Sequence, residues 1–141
     1  MENAHQCSVL LINPPGTRTA HRAPLQRLGF LVTEVRDWPV IEWAAHEYHV
    51  VIVLLRNISA APMLAARLCA KPRFGRRVLI ALVPALTGER ERLNACTSGF
   101  DDVLNDDCES RQLIARILRR LRTRPELRCL LPPADKRRSA A

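Results

Sequence analysis

The side chains best suited to nucleophilic or metal chemistry in this 141-residue chain are four histidines and five cysteines. His5, His21, His46 and His49 are scattered, and none stands beside a Ser, Cys or carboxylate in an order that makes a catalytic set. Cys7, Cys69, Cys96, Cys108 and Cys129 are odd in number and far apart, with no Cys-x-x-Cys and no His at a metal-ligand interval. They read as buried, reduced thiols; no disulfide framework and no metal site is expected. Gly16-Thr17-Arg18-Thr19, at the start of a helical pattern, has the free N–H groups and the arginine to hold an anion. It lacks a Walker or dinucleotide fingerprint, so a solvated loop is the plainer reading. Trp38 and Trp43, five residues apart, suit either an exposed aromatic anchor or packing at a sheet edge, and packing is the expectation.

These residues must be positioned by a regular framework. Val50 to Leu55 is an uninterrupted aliphatic run, the pattern of a strand buried on both faces. Ser8–Ile12 and Val78–Val83 are similar, and Phe30–Val35 and the stretch after Gly99 supply two more strands. Helical spacing appears over residues 17–28, 40–48, 61–70, 87–98 and 110–124. In the first of these Pro24 either kinks the helix or sits in the first turn of one that begins late. In the fourth, Leu93 and Cys96 are the expected inner residues; in the last, Leu113, Ile114, Ile117, Leu118 and Leu121 are. Strict alternation of strand and helix implies an α/β, flavodoxin-like (βα)5 three-layer sandwich with parallel strand order 2-1-3-4-5. A working site would lie at the C-terminal ends of the strands.

Charge divides the chain unevenly. Residues 1–110 hold 12 Lys and Arg against 12 Asp and Glu, whereas residues 111–141 hold 10 against 2, so the net charge of +8 sits in the last segment. The expected organisation is one domain over residues 1–124 and a basic, flexible tail over 125–141. No apolar run reaches the roughly 18 residues of a membrane helix, and no export signal opens the chain, so a cytoplasmic location without membrane contact is expected.

Gly99-Phe100-Asp101-Asp102-Val103-Leu104-Asn105 followed by an amphipathic helix resembles the Gly-Ala-Asp-Asp-Tyr-Leu segment of response regulator receiver domains. Leu25-x-x-Leu28-Gly29-Phe30-x-Val32 is similar to that family's first helix and second strand, and the resemblance spans roughly residues 7 to 123. It implies aspartyl phosphorylation, which needs an acid pair holding Mg²⁺, an acceptor aspartate, a hydroxyl and a lysine. Those roles fall on Asn13 and Pro14, Leu54, Val83 and Asp106, and none of these residues can fill them. No Asp or Glu lies between Glu47 and Glu89, so sliding the register supplies no acceptor. A narrower likeness, confined to Asn13-Pro14-Pro15-Gly16, is to the receiver-like half of ANTAR-type amidase antiterminators. The chain ends before an RNA-binding bundle could be built, so antitermination is not expected to carry over.

The expectation is a degenerate, non-enzymatic receiver without cofactor, working in bacterial two-component or transcriptional signalling by binding a protein partner or a second copy of itself. In the resembled family the output face joins the fourth helix, fifth strand and fifth helix, which implies polar contacts from Arg90, Arg92, Asp101, Asp102, Arg111, Arg116 and Arg119. Two alternatives stand beside it. The basic C-terminal helix and tail suit nucleic acid, although aromatic stacking residues are missing. A flavodoxin-like small-ligand binder would use the loop from Asn13 to Thr19.

Overall fold

The Val50–Leu54 strand (β3) lies at the centre of the sheet, and four of its five residues are buried because neighbours cover both faces. In the computed structural model, which describes residues 6–14, 20–36, 48–56 and 77–131, it is joined by β1 (Ser8–Ile12), β2 (Leu31–Val35), β4 (Val78–Val83) and β5 (Asp102–Asn105). All pairings are parallel, and the strand order is β2-β1-β3-β4-β5. The aliphatic runs that look uniform in sequence are sorted by the two-residue strand period. Leu10, Ile12, Val51, Val53, Leu79, Ala81 and Val83 face one layer; Val9, Leu11, Val50, Ile52, Val78, Ile80 and Leu82 face the other.

The second layer is closed by α1 (Arg22–Arg27) and α3 (Ser110–Thr123); α2 (Glu89–Ser98) covers the first. Helix α1 is shorter than the pattern over 17–28, and Pro24 lies in its first turn, where its missing N–H costs nothing. Of the two Pro24 alternatives, the late start is the one realised. Gly29 and Gly99, with φ of 99° and 133°, end α1 and α2 in a backbone region that side chains avoid. Helix α3 begins with a capping box between Glu109 and Gln112. Its buried stripe is Leu113, Ile117 and Leu121, with Ile114 and Leu118 half-buried beside it.

Three expectations are corrected. In α2 the inner residue is Ala95, while Leu93 is 63% exposed and Cys96 is also exposed. Leu93 lies two positions away, about 200° around the helix, so both cannot face the sheet. Nor does the flexible tail begin at residue 125: Pro125–Leu130 forms a 3-10 helix whose Leu127 and Leu130 are buried in the same core as α3. Three residues make one turn of such a helix, which stacks these two leucines on one side. Of the cysteines, Cys7 is buried, Cys108 half-buried, and Cys96 and Cys129 exposed. Burial pushes the Cys7 thiol up to about 12.

The expected helices over 40–48 and 61–70 lie outside the described residues, Tyr48 excepted. So do His5, His46, Cys69, Trp38, Trp43, the Gly16–Thr19 loop and the last ten residues.

Candidate functional site

The C-terminal ends of β1, β3 and β4 lie side by side, each strand running one residue beyond its neighbour: Ile12 pairs with Val53 and Leu54 with Leu82, while Val83 pairs with Asn105 at the end of β5. What these ends present is set by the residue each strand delivers. Asn13 follows β1 and is fully buried; its N–H donates to the Val35 carbonyl at 2.9 Å. Its Nδ2 donates to Glu34 Oε2, and Glu34 in turn lies 3.5 Å from Arg22 Nη1. Asn13 Oδ1 is buried without a hydrogen-bond partner among the described residues. Leu54 is half-buried against the α1–α3 layer, and Val83 is buried in the opposite one. Pro14 is half-buried, and Asp106 is exposed, its N–H donating to the Val83 carbonyl at 2.7 Å.

The fold therefore gathers Asn13, Leu54 and Val83 at one edge, with Asp106 beside them at the surface. Among the described residues, Glu34 is an acidic side chain bonded to this group, through Asn13, and the sequence pattern does not single it out. It is an inward-turned residue of edge strand β2, and its charge is matched by Arg22 and by an amide donor. Mg²⁺ requires several hard oxygen ligands in an octahedral array. Hydrocarbon at Leu54 and Val83, with a carboxylate already paired, does not fit that ion.

A second constellation lies where β5 meets α3. Asp102 is only 6% exposed, and its carboxylate accepts from Arg120 Nε at 2.7 Å, Arg120 Nη2 at 3.2 Å and Arg116 Nη1 at 3.1 Å. Hydrogen bonding to Asp102 raises the Arg120 pKa further. Asp101 accepts the Leu79 N–H at 2.7 Å and a charge-assisted bond from Arg124, whose other nitrogen reaches the Arg77 carbonyl. These acids are structural nodes, so their expected place as outward contacts is corrected: both spend their acceptors inside the domain. Arg92 also turns inward, to backbone carbonyls and Asn105. Arg90, Arg111 and Arg119 are exposed; Arg116 is exposed with one nitrogen on Asp102, and Arg111 lies 3.1 Å from Glu109. An open cleft of about 550 Å³ between these elements is lined by Arg92, Val103, Asn105, Cys108, Gln112 and Arg116, among others.

Arg120 and Arg124 were not singled out from the sequence. Their signal was their four-residue spacing, which puts both on one helical face toward the adjacent acids Asp101 and Asp102.

Two histidines meet serines after all. His49 Nδ1 accepts the Ser8 N–H at 3.1 Å and lies 3.0 Å from Ser8 Oγ; His21 Nδ1 lies 2.8 Å from Ser110 Oγ. Burial lowers both histidine pKa values, and Arg77 lowers that of His49 further. These contacts join β1 to the entry of β3, and α1 to α3. In the first, a backbone donor occupies the same imidazole nitrogen that a nucleophile would need, which makes it a structural tie.

No family model and no curated protein matches the chain. Solved structures do. An atypical orphan response regulator, described as revealing a phosphorylation-independent regulatory mechanism, is 24% identical over 82% of this chain and 96% of its own, with a TM-score of 0.68. The receiver domain of a sensor histidine kinase from Pseudomonas aeruginosa, with magnesium coordinated in its active site cleft, is 24% identical over 81% and 96%, with a TM-score of 0.64. An orphan response regulator of H. pylori is 21% identical over 82% and 96%, with a TM-score of 0.60. The fold is thus the flavodoxin-like fold of response regulator receivers. The narrower likeness to amidase antiterminators is not carried further: it rests on one loop, of which Pro15 and Gly16 lie outside the described residues. Among the described residues no helix is long and apolar enough to cross a membrane.

Proposed function

We propose that this receiver-like domain is a signalling module that works without phosphotransfer, through protein–protein contact at the face made by α2, β5 and α3. The observation carrying this reading is Leu54 at the end of the central strand. Its side chain offers no nucleophilic oxygen at the position the family resemblance gives to the acceptor, and Asn13, Pro14, Val83 and Asp106 are correspondingly unsuited to the accessory roles. With the chemistry gone, the outward residues Arg90, Arg111, Arg116 and Arg119 and the cleft behind them are what remains for recognition. A partner with acidic groups, or a second copy of the chain, would meet them there. A bacterial two-component or transcriptional pathway is the setting the resemblance supports.

Incubation with acetyl phosphate and Mg²⁺ followed by intact-mass measurement tests the first half. No phosphoryl gain is expected; a hydroxylamine-labile gain of one phosphoryl group overturns the proposal. Light scattering across a concentration series tests self-association. If the face joins copies, Arg119→Glu lowers the measured mass toward that of a monomer.

A second reading has its own support. Arg119, Arg122 and Arg128 are all exposed, and α3 contains no acidic residue to offset them. Arg128 Nε is fixed to the Arg122 carbonyl at 2.9 Å, which keeps the last two close. Such a stripe suits phosphates, and duplex DNA binding would then weaken steeply with salt. Fluorescence anisotropy with a labelled duplex decides it: binding lost in an Arg119→Glu, Arg122→Glu variant supports this reading, and no binding at low salt excludes it.

A further inference from the structure

Arg92 is placed where a surface contact would be expected, yet its guanidinium is directed into the domain. The five residues Pro84 to Gly88 join β4 to α2, and three of their carbonyls converge on this one side chain. Nε donates to the Thr87 carbonyl at 3.0 Å, and Nη2 reaches the Pro84 and Ala85 carbonyls at 3.4 Å each. The same Nη2 donates to Asn105 Oδ1, on the last residue of β5, at 2.5 Å. One cation thus ties the loop, the helix that carries it and the neighbouring strand together.

Little else among the described residues holds this region. Leu86 at the loop's tip is 98% exposed and anchors nothing. Helix α2 itself buries only Ala95. By contrast α3 buries three large aliphatic side chains. The position of α2 therefore depends on hydrogen bonding more than on apolar burial. Arg is suited to this: its planar fork offers five donors in fixed directions, whereas a lysine ammonium on the same stem is a single point with three.

We propose that Arg92 is an internal latch that holds the β4–α2 loop against β5, so that the α2–β5–α3 face is preset in one arrangement instead of being switched. The functional meaning rests on the reading given under Proposed function; the latch itself rests on these four bonds alone. A segment with two accessible arrangements needs a ligand or modification that favours one of them. Here a side chain of the chain supplies that bias permanently.

Amide hydrogen exchange on the intact protein tests the latch, read at three bonded amides. These are Thr87, bonded to Pro84; residue 92, bonded to Gly88; and Asp106, bonded to Val83. In Arg92→Ala these amides are expected to exchange at least tenfold faster, with Ile80 and Ile117 unchanged. Arg92→Lys is expected not to restore protection. Asn105→Ala, which keeps the three carbonyl bonds and removes the tie to the strand, is expected to give the same local change at smaller size. It carries the test if Arg92→Ala does not fold. Unchanged exchange at Thr87 and residue 92, or a rise spread evenly over the whole sheet, overturns the latch. So does a tenfold change at Thr87 in the unmodified protein on adding acetyl phosphate and Mg²⁺ without any mass gain. A phosphoryl gain with the latch amides still responding to Arg92→Ala would instead overturn only the absence of phosphotransfer.

Discussion

Arg120 Nε donates to Asp102 Oδ2 across 2.7 Å, and this bond fastens the last helix to the last strand of the sheet. The carboxylate is almost wholly removed from solvent while the two guanidiniums on it, from Arg116 and Arg120, remain partly in contact with water. Such an arrangement avoids most of the desolvation cost of a fully buried pair, because only the acid has been dehydrated and its oxygens are filled by charged donors.

Replacing Asp102 by Ala should therefore destabilise the domain by about 1–3 kcal/mol, below the roughly 3–5 of a fully buried pair, since the arginines can turn to water. Urea unfolding measures this. The double variant Asp102→Ala, Arg120→Ala should cost less than the sum of the two single changes. Additive losses, or a single-variant change within experimental error, would show that the bond is dispensable.

Ile117 and Leu93 are both aliphatic residues on helices, but only the first is enclosed. Ile117→Ala is expected to cost about 2–5 kcal/mol from lost burial and the cavity left behind. Leu93→Ala should stay within about 0.5 kcal/mol, as surface changes usually do. Equal losses would mean that Leu93 faces a core after all.

Stability should fall as the solution is acidified through the histidine range. His21 and His49 have pKa values lowered from 6.5 by burial, His49 also by the Arg77 charge, so the folded protein favours their neutral forms. Below 6.5 the unfolded chain binds protons that the folded chain resists, and the folded state loses ground; above 6.5 the contribution is fully present. His21→Gln should flatten part of the decline between about pH 7 and pH 5 in a series of denaturation midpoints. A midpoint that rises on acidification over this range would contradict the assignment.

Truncation after Arg124 should destabilise the fold although it removes what composition marks as tail. Leu127 and Leu130 leave the core together. Each alone replaced by Ala is expected to cost about 2–3 kcal/mol, toward the lower end for buried leucines because the site lies at the edge. A fully stable 1–124 fragment would restore the shorter boundary.

Fold and site were legible in the sequence to different depths. The runs Val50–Leu55 and Val78–Val83 announced two-faced burial because polar residues have no place in a strand covered on both sides. The amphipathic spacing of α3 identified Leu113, Ile117 and Leu121 directly, since five arginines made the opposite face unmistakable. Helix α2 was misjudged because its composition has no apolar stripe: a single small residue, Ala95, lets the helix approach the sheet, and pattern reading favours large residues such as Leu93. The 3-10 helix at Pro125 was missed for a related reason, as its two inward leucines lie among prolines, arginines and charged neighbours that otherwise read as solvent-exposed chain.

The lack of an acceptor carboxylate between Glu47 and Glu89 is a property of the chain itself, and so are the α/β alternation and the basic C-terminal segment; each follows from residue type and local period. Which charges are free to meet a partner is not. Asp101, Asp102 and Arg92 look like surface groups in one dimension. Their partners are settled only when β5 is laid beside β4 and α3 across both, since the groups that satisfy a buried charge come from whatever strand or helix packing brings near.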